Sequence, residues 1–239
     1  MADDRMTRFS AILFDKDGTL LDFDKTWEPI NRRASLFAAD GDAMLADRLM
    51  IICGMDPKTG KVSAGSLFAA AAPSEIAAAM AQGGSPYEAD ELTGHLDRFF
   101  LEGAANSVPV TDLPALFARL KGRGLKLGVA SSDNEASIRL MAERLGIIDH
   151  LDYIAGYDSG HGVKPGPGMI EGFAGQLGVP VSEIVMVGDN THDLHMARNA
   201  KAGLAVGVLT GTSGRDALAP DADHVLTSID ELEALLDRL

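Results

Sequence analysis

The sequence predicts an α/β protein, a doubly wound parallel sheet with an all-helical insertion after its first strand. Three observations lead there. Short apolar, β-tending runs recur along the chain: FSAILFD to Asp15, KLGVAS to Ser131, DYIAGYD to Asp158, EIVMVGD to Asp189 and LAVGVL to Leu209. Between them lie helical stripes spaced i, i+3, i+4, i+7: Leu113, Leu116, Phe117, Leu120; Ile138, Met141, Ala142, Leu145; Ile170, Phe173, Ala174, Leu177. Strand alternating with helix builds a parallel sheet covered on both faces. The third observation is a break in that rhythm, because from about residue 22 to 108 no strand-like run occurs and the patterns are helical.

In that stretch Trp27, Ile30, Ala34 and Phe37 make one stripe, and Leu92, Leu96 and Phe99 another. Pro73, Ser74 and Glu75 before IAAAM read as a helix start, and Gly83-Gly84 before Ser85-Pro86 as a stop. The expected organisation is a core domain of residues 1–21 and 109–239 and a helical domain of residues 22–108, large enough for a small core of its own. Its connections, around Leu21 to Lys25 and Gly103 to Pro109, flank the end of the first strand. An insertion rooted there can close like a lid, with Gly103, Ala104 and Ala105 as the soft return hinge. Ligands of such sheets bind beyond the carboxyl ends of the strands, where Asp15, Ser131, Asp158 and Asp189 fall.

Composition narrows the function classes. At 239 residues, 46% hydrophobic and 23% charged, the chain buries a core easily and is no disordered polymer. Cys53 is the single cysteine, which excludes an internal disulfide and a cysteine metal cluster and suits a reducing interior such as the cytoplasm. No apolar run approaches the roughly 20 residues that span a bilayer, and MADDRMTR lacks the apolar stretch of an export signal. The formal charge of −14, with no basic run, argues against a nucleic-acid partner. A small anion stays compatible, because a site with its own cations decides matters locally and distant charges are screened beyond about 8 Å.

Phe14-Asp15-Lys16-Asp17-Gly18-Thr19-Leu20 places two carboxylates two apart where a strand enters a glycine loop. Two acids so close need a cation between them or a proton on one. That division suits phosphoryl transfer, in which one carboxylate attacks phosphorus and the other protonates the leaving oxygen. Alone, the motif would be a solvated turn. Asp189 ends the fourth strand in Val187-Gly188-Asp189-Asn190-Thr191-His192-Asp193. Magnesium favours carboxylate oxygens, water and phosphate, so Asp15 and Asp189 can hold one ion if their strands are neighbours. Asp193, a helical turn further on, either reaches that ion or its waters or caps the helix. Lys164, in a loop stiffened by Pro165 and Pro167, can bring positive charge to a phosphoryl group and the nucleophile. Ser131 can donate its hydroxyl to a phosphoryl oxygen beside the start of the next helix.

In this order, D-x-D-G-T at the first strand, Ser at the second, Lys-Pro before a helix and G-D-x-x-x-D at the fourth resemble the haloacid dehalogenase (HAD) superfamily. With the helical insertion, the chain is similar to its phosphoglycolate phosphatase-like branch. The resemblance runs from Phe9 to about Leu209. It implies a Rossmann-like HAD core with an all-helical cap and a phosphoric monoester hydrolase acting on a small phosphorylated metabolite. Asp15 would be the nucleophile that becomes an aspartyl phosphate, and Asp17 the general acid and then the base that activates water. Thr19, Ser131, Ser132 and Lys164 would bind phosphate, Lys164 also balancing charge. Mg2+ would be held by the Asp15 carboxylate, the Asp17 main-chain carbonyl and Asp189, with Asp193 in support.

Two departures bear on this. Lys16 stands where many of these phosphatases have an apolar residue, and Asp15-Lys16 is similar to the D-K-T-G-T of cation-pumping ATPases. Asp rather than Thr two residues on, and the lack of a membrane segment, set transport aside. Dehalogenases of carbon–halogen bonds lack the second aspartate, so Asp17 favours an oxygen leaving group. The rival readings are a sugar phosphomutase of the β-phosphoglucomutase type, a receiver domain, and a silent binder of phosphate metabolites. A receiver needs only about 120 residues, no second acid and no cap. His192 and His195 bracket Asp193 on a solvated helix face, and His161 lies near enough in sequence to Lys164 to touch substrate. Arg32, Arg33, Lys58 and Lys61 are the insertion's candidate cations for a substrate's distal anion. The oligomeric state, monomer or dimer, is left open.

Overall fold

A computed structural model describes residues 8–239. The opening MADDRMT, read above as too polar for an export signal, lies outside them. The chain begins with β1 (Ala11–Phe14), then runs through α1 (Phe23–Ala38), α2 (Ala43–Ile52), α3 (Leu67–Ala70), α4 (Pro73–Gln82) and α5 (Ala89–Ala105). It continues with α6 (Leu113–Gly122), β2 (Lys126–Ala130), α7 (Glu135–Arg144), β3 (Tyr153–Ala155), α8 (Gly168–Leu177), β4 (Ile184–Gly188) and α9 (Thr191–Ala200). It closes with β5 (Leu204–Val208), α10 (Arg215–Leu218), β6 (His224–Leu226) and α11 (Leu232–Leu236). Among the described residues no helix is long and apolar enough to cross a membrane.

The strands form one parallel sheet in the order β3-β2-β1-β4-β5-β6. After β3 the chain returns to the other side of β1, so the reversal of strand order falls between β1 and β4, where open α/β sheets bind ligands. Register lines up the carboxyl ends, since Phe14 pairs with both Val129 and Val187. The residues that follow, Asp15, Ser131 and Asp189, therefore leave the sheet at one edge. Alternation along β1 sends Ile12 and Phe14 into one apolar layer and Ala11 and Leu13 into the other. The first layer carries the α6 stripe and Ile138, Met141 and Ala142 of α7. The second carries Met169, Ile170 and Phe173 of α8 and Leu194 and Met196 of α9. Both faces are covered, which is why the strands read as continuous apolar runs. β6 was not foreseen, because HVL is three residues long and partly exposed.

The chain divides into two compact units, one joining the segment up to Leu21 to Pro109–Leu239, the other Asp22–Val108. Within the first, Leu21 bridges Pro109 and the Val110 N–H donates to Leu20 O at 3.0 Å. Within the second, the Asp22 N–H donates to Val108 O at 2.8 Å and the Val108 N–H to Thr26 Oγ1 at 3.0 Å. The helical unit starts its helices with local caps. Asp22 accepts from the Lys25 N–H, Asp42 from those of Met44 and Leu45, and Glu75 from that of Ala72 ahead of Pro73. Ile30 and Ala34 of α1 and Leu92 and Leu96 of α5 are buried as their spacing predicts, with Leu49, Ile76 and Met80 filling the core. Gly103 to Ala105 are not a loose connection. They form the last turn of α5, with Gly103 and Ala104 buried. A Cβ on Gly103 would lie 2.6 Å from the Trp27 ring, so the small residue serves packing rather than a hinge.

Candidate active site

The site is built where three turns leave the sheet edge. β1 delivers Asp15 with the backbone already fixed, its N–H donating to Val187 O at 2.8 Å. The next turn closes at Gly18, whose φ of +82° is left-handed and whose missing side chain matters as well: a Cβ there would lie 2.6 Å from the Asp189 carboxyl carbon. β4 delivers Asp189. The loop after β5 completes its enclosure, since the Thr212 N–H donates to Asp189 Oδ2 at 3.0 Å and Gly211 lies so close that any Cβ would collide with that carboxylate. Thr210 Oγ1 ties this loop to Gly18 O at 2.6 Å.

Asp193 joins from the first turn of α9. One oxygen accepts the Asn190 N–H at 3.1 Å, completing the helix cap, and the other takes Lys164 Nζ at 2.5 Å. The same ammonium lies 2.5 Å from Asp15 Oδ1, and its side chain is 3% exposed. The Lys164–Pro165 peptide is cis. Asp15, Asp189 and Asp193 are all buried, and one oxygen from each lies within 4.8 Å of the others. Burial pushes the Asp15 carboxyl up to about 7; Lys164 pulls it down, while Asp193 and Asp17 add to the rise. Burial likewise raises Asp189 well above the usual carboxylate range, with the charges of Asp15 and Asp193 pushing the same way. Burial alone would lower Lys164, but the two aspartates more than offset it and hold the ammonium above its ordinary value. Three hard, acceptor-only groups facing one another out of water form a donor set that fits a small divalent cation.

Asp17 points to a second cation. Its Oδ2 lies 2.9 Å from Lys16 Nζ, whose side chain is 1% exposed and reaches Asp133 Oδ2 at 2.8 Å. Burial works against the Lys16 charge, yet Asp17 and Asp133 hold it above the ordinary lysine value. Ser131 is buried, and its Oγ accepts the Asp133 N–H at 3.1 Å. Thr19 is fully enclosed, with no partner for its hydroxyl among the described residues. Ser132, by contrast, is exposed.

Other expected positions fall elsewhere. β3 stops at Ala155, and Asp158 accepts the Glu135 N–H at 2.9 Å, serving the start of α7 rather than the aspartate cluster. The His161 ring packs beside Tyr153, 5.9 Å between centroids. His192 is exposed and His195 meets Asp221 at 2.9 Å; neither is among the potential metal-holding residues described. Asp133 and Thr212 were not singled out from sequence. Asp133 sits in Ser131-Ser132-Asp133-Asn134, a polar run at a helix start that looks like ordinary capping. Thr212 lies past the last recognised run, in a glycine-rich loop.

The sequence profile of the haloacid dehalogenase-like hydrolases matches residues 9–201. Among curated proteins, the chain is 33% identical over 128 residues to the phosphoglycolate phosphatase of Neisseria meningitidis serogroup A, covering 52% of this chain and 54% of that protein. It is 27% identical over 194 residues to the N-acetylmuramic acid 6-phosphate phosphatase of Pseudomonas aeruginosa, covering 81% and 79% respectively. The chain thus spans about half the length of the Neisseria relative it matches. Among solved structures, a HAD-superfamily hydrolase of subfamily IA from Geobacter sulfurreducens superposes with a TM-score of 0.65 at 18% identity, over 98% of this chain and 99% of that one. A Thermotoga maritima protein, provisionally assigned as a β-phosphoglucomutase, superposes with a TM-score of 0.73 at 17% identity, over 97% of this chain and all of that one. These superpositions carry the fold alone. The profile match takes in β1, with its paired aspartates, and β4, with the Gly-Asp that follows it, and on that ground the chain belongs to the haloacid dehalogenase-like hydrolase family.

Proposed function

We propose that the chain hydrolyses a small phosphate monoester through an aspartyl phosphate on Asp15. The observation that carries this is the placement of Lys164 Nζ, 2.5 Å from both Asp15 and Asp193, with Asp189 completing a buried carboxylate cluster at the strand ends. An Asp15 oxygen attacks phosphorus as the ester P–O bond breaks, and the leaving oxygen takes a proton from Asp17. Water then attacks the acyl phosphate, giving its proton to Asp17, and the Asp15 carboxylate is restored. Lys164 opposes the rise that burial imposes on Asp15, favouring its ionised form, and faces the charge that gathers on the phosphoryl oxygens. Ser131 and Thr19 supply hydroxyls near the same edge. Mg2+, held by Asp15, Asp189, Asp193 and the Asp17 carbonyl, would screen the approach of an anionic nucleophile to an anionic phosphate.

The helical unit, residues 22–108, is read as the part that selects the substrate, because the chain leaves the α/β unit at Leu21, shortly after Asp15, and returns to it at Pro109, which bridges Leu21. A metabolite screen scoring release of inorganic phosphate tests the whole reading. Asp15→Asn should leave only background turnover, and Asp17→Asn should slow poor leaving groups most. Transfer of the phosphoryl group back to a sugar, without release of phosphate, would instead identify a phosphomutase.

A further inference from the structure

Lys16 is the feature this reaction does not use. Its side chain is almost wholly buried, yet it is a charged group on a flexible stem, and placing it there costs desolvation. Two carboxylates receive it. Asp17 Oδ2 lies at 2.9 Å and Asp133 Oδ2 at 2.8 Å, so one ammonium joins the turn after β1 to the turn after β2. Asp133 is itself held on several sides. Ser137 Oγ donates to its Oδ2 at 2.6 Å, the Asn134 N–H to its Oδ1 at 2.7 Å, and its own N–H donates to Ser131 Oγ at 3.1 Å. Asp17, by contrast, has a side chain 27% exposed in a loop. A carboxylate so placed has rotamer freedom, which the contact with Lys16 narrows.

Stability does not account for the arrangement, because well-packed apolar groups often replace buried ion pairs at no loss. Placement does. A proton donor works only within about 2.6 to 3.2 Å of the atom it serves, and an error near 1 Å can cost about 100-fold in rate. We propose that Lys16 is a positioning residue: it clamps Asp17 Oδ2 to Asp133, fixing the orientation of the proton-transferring carboxylate against the turn that carries Ser131. The inference rests on the reading of Asp17 as proton donor. Lys16 is not given a contact with substrate.

The test is kcat/KM with saturating magnesium over substituted phenyl phosphates, from nitrophenyl to phenyl, since this parameter reports the steps through first P–O cleavage. Lys16→Met should lose about 5-fold on nitrophenyl phosphate, which leaves without a proton, and about 50-fold or more on phenyl phosphate. Asp133→Asn should show the same asymmetry, more weakly. Lys16→Arg, which keeps a cation able to span two carboxylates, should restore most of the wild-type slope. In an Asp17→Asn background Lys16→Met should add little on phenyl phosphate, because there is no longer a donor to place. A merely structural role would lower all substrates alike and add independently of Asp17, and either result overturns the proposal. Should Lys16→Met fail to fold, Asp133→Asn, which leaves Lys16 its Asp17 partner, decides by the same asymmetry. A flat leaving-group series for Asp17→Asn itself would remove the donor reading, and this inference with it; a steep series there with a flat one for Asp133→Asn sinks the clamp alone.

Discussion

Lys164 Nζ and Asp193 Oδ1 stand 2.5 Å apart, the lysine from the loop before α8 and the aspartate from the first turn of α9. The second contact of that ammonium, with Asp15, makes Lys164 the counter-charge for two buried acids. Lys164→Met should therefore lower kcat by about 100- to 1000-fold. It should also cost about 3–5 kcal/mol in urea unfolding, because two carboxylates are left facing each other. Adding Asp193→Asn should recover part of that stability and none of the activity. A double variant no more stable than Lys164→Met would show that charge is not what the lysine supplies.

The cation site has a consequence that needs no turnover. Magnesium that binds only the folded chain stabilises it by about 2.7 kcal/mol at a hundred times its dissociation constant, a rise of roughly 5–10 °C in melting temperature. Asp189→Asn should abolish that rise. Without metal the same variant should melt no lower than the parent, since burial and the charges of Asp15 and Asp193 already disfavour an ionised Asp189. An undiminished magnesium shift in Asp189→Asn would place the ion elsewhere.

What could be read ahead of the structure was what the chain writes locally. Asp15 and Asp189 each end an apolar run, and a run that ends in an acid states both the strand and its active end. The contacts that complete the site are non-local: Lys16 meets Asp133 across 117 positions, and Thr210 meets Gly18 across 192. Neither pairing leaves a periodic trace, so Lys16 could be noted as unusual in its motif but not assigned a partner. Gly103 was misread for a related reason. A glycine beside two alanines suggests softness, while the demand that keeps it small, the Trp27 ring on another helix, is tertiary. Asp158 fell outside the cluster because β3 is three residues long and turns away before reaching it.

Away from the site, Asp152 reports on how the edge of the sheet is held. Its Oδ2 accepts Lys121 Nζ at 2.6 Å and the Leu127 N–H at 2.9 Å. Burial opposes its charge, but these two donors more than offset that and hold the carboxyl below the usual range. A carboxyl depressed in the folded state contributes stability that is present above its unfolded value, about 4, and is lost as pH falls below it. Asp152→Asn, which keeps an acceptor for Leu127, should be less stable than the parent at pH 7, and the gap should close as the pH is lowered past 4. Unfolding midpoints at pH 7, 5, 4 and 3.5 check this. A gap constant across the series would mean that the carboxylate's charge contributes nothing.

The cations of the helical unit are not equivalent candidates for reading a substrate. Arg32 pairs with Glu28, Arg33 with Glu102 at 2.9 Å while lying over the Phe99 ring at 5.3 Å, and Lys61 with Asp24. Arg32 pairs within α1, while Arg33 and Lys61 tie α1 to α5 and to the segment after α2, and a substrate anion would have to displace a carboxylate from each. Among the described residues Lys58 alone of the four makes no side-chain ion pair within 4 Å, although its charge is felt by the Asp56 carboxylate. It is exposed, in a turn ordered by Asp56, whose Oδ1 accepts the Lys58 N–H at 2.8 Å. Contact with the non-reacting end of a substrate is spent on orienting the phosphoryl group, so its loss shows in kcat/KM for that substrate and not for a minimal one. Lys58→Ala should therefore lower efficiency on a metabolite carrying a second anion by about 10-fold and leave nitrophenyl phosphate within about 2-fold. Arg33→Ala should instead loosen the packing of α1 on α5, lowering the melting temperature without changing the preference among substrates. Replacing residues 22–108 by a short linker should level that preference altogether. Discrimination that survived this replacement would put substrate selection in the loops at the strand ends and remove it from the helices.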